Sequence, residues 1–479
     1  MSTALPNAAA LALRVPRVFD SADVPADPRV LEILEQGVSA VDLAARPVVL
    51  PDFHHKHDME MPSSIAVATT GTIRPAFTSA SVNCGMALLA LDAERPDDDA
   101  IAAFYRAIAL RYPHPPSWRR ELSTGDVLRA AVEGAQFGVE RYGLDPSALE
   151  RIEEGGRLDL DPFGGGARLK HELPRLSFAA SRFRFGTIGP SNHFVELQTV
   201  EEILDQQAAA ALGVTRGQVT IQFHAGGGLL TGQVGRLFAR RRKISRPLAL
   251  EMAFARTMAH LFTVRSVAQL RERLDYYFRR GCPAIPLDSA EGSRVLLANA
   301  AAMNYGFAFR TATYATLAGL ATRLLGAAST RLVVDSPHNS IYAEEVDGRS
   351  ALMHRHNSCR AYPADRMPPG TAFGTVGQAV LVPGMHYTSS YLCVASDGAE
   401  QSLYSACHGA GTVIDGAVRA GWSDLDPHRR RTWRFRYGQD EPEPVPQLDD
   451  RGIDTALGIL TRHDLVRPVA RLRPMAVLN

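Results

Sequence analysis

Lysine is nearly missing from these 479 residues: Lys56, Lys170 and Lys243 stand against 49 arginines. None of the three opens a K-x-D-G string, which excludes a lysyl-nucleotide intermediate of the familiar kind and leaves histidine as the natural nucleophile for any covalent nucleotide step. Cysteine is also sparse. The five at 84, 282, 359, 393 and 407 are odd in number and form no C-x-x-C pair, which argues against a disulfide framework and fits a reducing cytoplasm. No basic residue precedes Arg14 and no run of about 18 apolar residues follows, so neither a signal peptide nor a membrane span is expected. A large charge of one sign is absent as well. With 52 basic and 51 acidic residues the net charge is +1, so any RNA contact must come from local patches.

What the chain does hold is one thiol and four imidazoles, each beside glycine or asparagine. They lie in Val82-Asn83-Cys84-Gly85, Ser191-Asn192-His193-Phe194, Phe223-His224-Ala225-Gly226-Gly227, Pro337-His338-Asn339 and Cys407-His408-Gly409-Ala410-Gly411. Sulfur with imidazole is a donor set for zinc, manganese, iron or cobalt, and the small flanking residues let a phosphate approach closely. A metal-dependent enzyme acting on phosphates is the expectation. His54-His55-Lys56-His57-Asp58 fits no standard metal spacing and reads as a solvated or substrate-facing loop. Arg429 to Tyr437 alternates arginine and aromatic with period two, the pattern of a strand with aromatics inward. Arg240-Arg241-Arg242-Lys243 reads equally as a phosphate contact or a basic surface turn.

Collecting a site from positions 84 to 408 forces most of the chain to converge, which favours one elaborated domain over 1–479. Apolar spacing predicts helices over 31–43, 97–110, 125–142, 248–264, 267–278 and 294–325, and strands over 47–52, 65–70, 86–91, 195–198 and 219–223. Residues 97–170 form a candidate helical insert, and the acidic, proline-rich 439–446 a surface connector. The class expected is α+β, with central sheets, surrounding helices and a metal and nucleotide site in a central cleft.

As a set these residues resemble the RtcB family of GTP-dependent RNA ligases. The resemblance runs through Leu50-Pro51-Asp52-Phe53-His54, Asn83-Cys84-Gly85, Gly186 to Glu196, His338-Asn339, His354-Arg355, Pro383-Gly384, Ser390-Tyr391, Cys407 to Gly411 and Ala470 to Pro474. It implies a ligase that joins RNA 3′-phosphate or 2′,3′-cyclic phosphate ends to 5′-hydroxyl ends, with GTP and one or two Mn2+ ions, Zn2+ or Co2+ being alternatives. His408 would be the guanylylated nucleophile and Asp52 the carboxylate orienting its ring. Cys84, His224 and His338 would hold the first metal, with Cys84 and His193 on a second. Asn192, Glu196, Asn339, Ser390 and the Gly409-Ala410-Gly411 turn would line the nucleotide site. Need for an activating protein partner stays open.

The departures from the family pattern are specific. Its Asp-x-Asn-Cys-Gly is Ser81-Val82-Asn83-Cys84-Gly85, so a neutral hydroxyl replaces the carboxylate expected on the second metal unless Asp58 or Glu60 substitutes. His-Ser-Gly-Ser-Arg has become His224 to Gly228, and Thr412 replaces the arginine after His-Gly-Ala-Gly. The lysine of His-Arg-Lys is His356, and the terminal Lys-Gly is Leu478-Asn479. The departures leave two alternatives to ligation: a relative that binds RNA ends or nucleotide without turnover, and a metal-dependent phosphoesterase.

Overall fold

The structure, a computed structural model, describes residues 12–110, 122–189, 192–239, 241–242, 245–279 and 281–479. Most of the segment before Arg14, Pro190 and Ser191, and Arg240 and Lys243 of the basic run, lie outside the described residues. The fold is α+β. Seven strands follow one another across a large antiparallel sheet in the order Ala379–Val382, Ser390–Ala395, Val466–Leu478, Phe194–Ile203, Val219–Ala225, Gly85–Asp92 and Ser329–Pro337. Arg431–Phe435 and Glu443–Pro446 extend it at one side. A second sheet orders Arg17–Val18, Val48–His54, Ser63–Thr69, Arg349–His356 and Asn339–Val346.

His338 is the joint between the two sheets: Pro337 ends a strand of the first and Asn339 begins a strand of the second. Because neighbouring strands of the first sheet run antiparallel, the start of one lies beside the finish of the next. Gly85 is opposite Ala225 on one side and Pro337 on the other, and Phe194 is opposite His224. The loops before Gly85 and Phe194 and after Pro337 carry Cys84, His193 and His338, and His224 is the last residue but one of its strand. Alternation sends Val195, Leu197, Ile221 and Phe223 into one apolar layer, while Glu196, Gln198, Gln222 and His224 form a polar column on the opposite face.

Helix Ala290–Leu324 fills the core. Every residue from Leu297 to Tyr314 is buried, and a helix buried on all sides can only be an interior one. Its alanines allow close packing against Thr124–Glu133, Ala135–Tyr142 and Gly228–Phe238. The helix expected over 125–142 is two helices. Gly134 (φ 63°) breaks it where the chain passes so near Gly156 that a Cβ would sit 2.0 Å from its carbonyl oxygen. The arginine-aromatic alternation is the expected strand, with Phe435 stacked on Tyr105 at 4.6 Å and the Trp433 indole donating to Asp98. The acidic 443–446 stretch is exposed, but it pairs with that strand rather than connecting freely, since its extended prolines suit a sheet edge. No helix among the described residues is long and apolar enough to cross a membrane.

One buried charge ties helix to sheet. Arg310 pairs with Asp335 at 2.7 Å and donates to the Asn83 carbonyl, fixing the turn that precedes Cys84. Arg310→Met strands Asp335 in the core and should cost about 3–5 kcal/mol, read as a lower urea midpoint with unchanged slope. A loss under about 1 kcal/mol would show that the helix holds the turn without this pair.

Candidate metal centre

Cys84 lies in a turn built by two local features. Asn83 adopts a left-handed conformation (φ 55°) that asparagine tolerates, and its side-chain amide donates to the Met303 carbonyl on the core helix. Gly85 has no room for a side chain: a Cβ would meet Ser336 oxygen at 2.7 Å and the Arg310 guanidinium carbon at 2.9 Å. The 82–85 turn is therefore pressed against the loop that carries His338, whose backbone N–H donates to the Cys84 carbonyl at 2.8 Å.

The donors converge. Cys84 Sγ is 3.2 Å from His224 Nε2, which is 3.1 Å from His338 Nε2, and all three residues are buried. His224 Nδ1 is 2.8 Å from the Asn192 carbonyl, so it carries the proton and donates there, leaving Nε2 as a lone pair aimed at the cluster. Buried lone pairs facing one another and a sulfur at these separations suit the edges of a coordination polyhedron with bonds of about 2.0–2.3 Å. The residues fit a transition metal. Burial, then His408, then His193 for the first and His224 for the second, holds His224 and His338 well below the usual imidazole range, in the neutral form a metal needs. Burial pushes the Cys84 thiol up to about 11, with Arg310, Ser81 and Lys56 pulling the other way.

His193 stands on the far side of the thiol, its Nε2 3.6 Å from Sγ, and burial alone pushes it down to about 4. Ser81 and His193 both face Gly226. The two carboxylates considered as substitutes are committed elsewhere: Asp58 pairs with Arg241 at 2.8 Å and Glu60 with Arg242 at 2.9 Å. Among the described residues the three-donor metal group is Cys84, His224 and His338.

His408 follows the short strand Ser405–Cys407, which pairs with Ser358–Arg360 and so reaches the same place. Its ring stacks on His338 at 3.5 Å between centroids and 17° between planes, and lies 4.9 Å from His224. Burial, then the charges of Lys56 and His193, push it down to about 3, so the ring is neutral with a free lone pair. Helix Gly411–Arg419 starts directly after it, and Asp52 caps that helix, accepting from the Thr412 N–H and hydroxyl, each at 2.6 Å. Among the described residues no hydrogen bond joins Asp52 to the His408 ring. Asp52 reaches the His408 loop through Thr412.

Of the residues expected to line a nucleotide, Asn192 is exposed beside His193, while Asn339 spends its side chain on the backbone of Ser81 and Asn357. Ser390 accepts from the Gly384 N–H, and Gly409, Ala410 and Gly411 form the turn into the helix. Glu196 is buried beneath His224, accepting from Gln198 at 2.6 Å, and burial raises it to about 8. Sequence reasoning missed Arg310 in this neighbourhood, and reached Lys56 only as part of a solvated or substrate-facing loop and His356 only as a departure from the family pattern. The rarity of lysine is the signal that marks Lys56.

Taken together, the fold and site define an α+β protein with a buried sulfur–imidazole centre and a neutral histidine stacked upon it. The family model described as "tRNA-splicing ligase RtcB" matches residues 36–479, so the chain belongs to the RtcB family. It is 26% identical over 502 residues to the tRNA-splicing ligase RtcB of Thermococcus kodakarensis, covering 97% of this chain and 95% of that one. Similarity to that of Archaeoglobus fulgidus is 27% over 510 residues (99% and 96% covered), and to the RNA-splicing ligase RtcB of Mycobacterium tuberculosis 27% over 461 residues (90% and 96%).

Two outcomes follow from the geometry. Cobalt titration, followed by the thiolate charge-transfer band, should show one tight ion per chain. His338→Ala should weaken it by about 100-fold or more, whereas His193→Ala should leave it in place; equal losses in the two variants would place His193 in the same tight site. For Glu196, a folded value near 8 against an ordinary 4.5 means that the folded state holds a proton the unfolded state has lost. Stability should therefore fall as pH rises from about 5 to 8, by up to about 1.4 kcal/mol per pH unit. Glu196→Gln should flatten that slope in urea titrations at several pH values, and an unchanged slope would assign it to another group.

Proposed function

We propose that this protein is an RNA ligase that joins RNA 3′-phosphate or 2′,3′-cyclic phosphate ends to 5′-hydroxyl ends through a histidyl-GMP intermediate, with GTP and manganese. The observation that carries the reading is the stack of a neutral His408 on His338, which sets a nucleophilic lone pair over the sulfur–imidazole donor group. The names of the relatives, tRNA-splicing and RNA-splicing ligases, support the class of reaction.

In the first step a ring nitrogen of His408 attacks the α-phosphorus of GTP; a P–N bond forms as the bond to pyrophosphate breaks. An oxygen of the RNA 3′-phosphate then takes the GMP, breaking the P–N bond and returning the lone pair to the ring. A cyclic phosphate is first opened by water. The 5′-hydroxyl oxygen finally attacks the activated 3′-phosphorus, GMP leaves, and the hydroxyl proton passes to solvent or a nearby base. A bound metal at Cys84, His224 and His338 supplies neutralisation of phosphate charge. Asp52 anchors Thr412 at the start of the helix after His408 and so fixes the loop that aims the ring. Arg310 and Asn83 hold the cysteine turn.

A second reading, binding of RNA ends without turnover, is favoured by one observation: the Asp52 carboxylate is occupied by Thr412, at the position where the family pattern has arginine. Incubation with α-labelled GTP, and ATP in parallel, in manganese separates the two. The ligase reading expects acid-labile, alkali-stable label on the protein, reduced at least about 100-fold in His408→Ala, with GTP preferred. No label from either nucleotide in a metal-loaded sample would move the assignment to end binding.

A further inference from the structure

The basic residues around His408 outnumber the carboxylates free to neutralise them. Strands Val48–His54 and Ser63–Thr69 are joined by a turn over 55–62, with His54 paired to Ser63. Two residues further on, Ile65 pairs with His356, the last residue of Arg349–His356, so the turn covers the end of that strand. His356 lies across from Asn339, next to His338, and the His408 N–H donates to the carbonyl of Asn357. The strand register thus gathers the 55–62 turn, His356, His338 and His408 at one place.

The turn is held rigidly. Met59 N–H donates to the Lys56 carbonyl, His55 Nε2–H to the Met59 carbonyl, and Arg242 N–H to the Asp58 carbonyl. The Arg241–Asp58 and Arg242–Glu60 pairs clamp it to the segment after Phe238. Those pairs use the turn's own carboxylates, and Asp52 is used by Thr412. Lys56 is exposed and makes no ion pair among the described residues. His356, where the family pattern has lysine, is a 2% exposed imidazole whose Nδ1 has no hydrogen-bond partner. An exposed ammonium on a turn beside His408, with no free counter-charge among the described residues, makes a site that an anion completes. The influence of Lys56 on His408, Cys84 and His356 is consistent with that placement.

Resting on the ligase reading, we propose that Lys56 binds the phosphate group that approaches His408, supplying from the 55–62 turn the charge that position 356 lacks. An ammonium serves a phosphate as a point charge and takes no part in bond making. Lys56 is therefore a binding residue, and its loss shows first in affinity.

The test uses the metal-loaded full chain as wild type, Lys56→Met, Lys56→Arg and the double variant Lys56→Met with His356→Lys. One arm measures by fluorescence anisotropy a short labelled RNA ending in 3′-phosphate against the same RNA ending in 3′-hydroxyl. The other measures the GTP concentration that half-saturates protein labelling. Wild type should prefer the 3′-phosphate end by about tenfold or more, the worth of one charge-assisted contact. Lys56→Met should erase that preference if the group is the RNA end, or raise the GTP half-saturation about tenfold if it is the nucleotide, the maximal rate changing less. Lys56→Arg should stay near wild type, and the double variant should regain part of the loss. Unchanged values in both arms, or no 3′-phosphate preference in a wild type that also labels like Lys56→Met, overturn the proposal. If wild type takes no label at all, the ligase reading fails, and the RNA arm alone still decides whether Lys56 reads the phosphate. Equal cobalt spectra across the variants show that the fold and metal centre are intact.

Discussion

Close backbone approach at Gly85 is the constraint on which the site depends. Because that residue has no Cβ, the first sheet can bring the 82–85 turn against Ser336 and Pro337 while the Arg310 guanidinium closes from the core helix. The consequence is geometric. Cys84 and His338 are separated by more than 250 residues of chain, yet the backbone N–H of one donates to the carbonyl of the other. Asn83 contributes the left-handed residue the turn needs, and Arg310 with Asp335 keeps the helix in register with it. A side chain at 85 would push these parts apart before it touched any donor atom.

Electrostatically the centre is a region of neutral imidazoles kept neutral by burial. His193, His224, His338 and His408 are all depressed, so each offers a lone pair at neutral pH. The acidic groups nearby have other engagements: Asp58 and Glu60 with arginines, Asp52 with a helix start, and Glu196 carrying a proton below the sheet. That distribution explains why the described donors form one compact three-residue group. It also leaves the exposed Lys56 without a carboxylate partner among the described residues.

Much of this was legible in the chain. The cysteine and histidine motifs were recognisable because glycine and asparagine flank them, and those small residues are there for physical reasons: a left-handed turn at Asn83, the tight approach at Gly85. The long helix was visible as an alanine-rich apolar run, and the 431–435 strand as a period-two alternation. Less visible were features made by contact between distant segments. The role of Asp52 as a cap on Thr412 depends on a pairing across 360 residues. The ion pairs that occupy Asp58 and Glu60 depend on a segment some 180 residues away. The break at Gly134 is set by the passage of Gly156 beside it.

By itself, then, the sequence determined the kinds of groups available and the local shapes that hold them, since residue type and short-range spacing are local properties: one thiol, four imidazoles, strands beside Cys84, His193 and His224, and membership of the α+β class. Only the tertiary structure decided which groups meet. The antiparallel register set Cys84, His224 and His338 within bonding range of one ion and laid His408 on His338. Burial then decided their protonation, because the cost of charging an imidazole is fixed by what surrounds it and not by its neighbours along the chain.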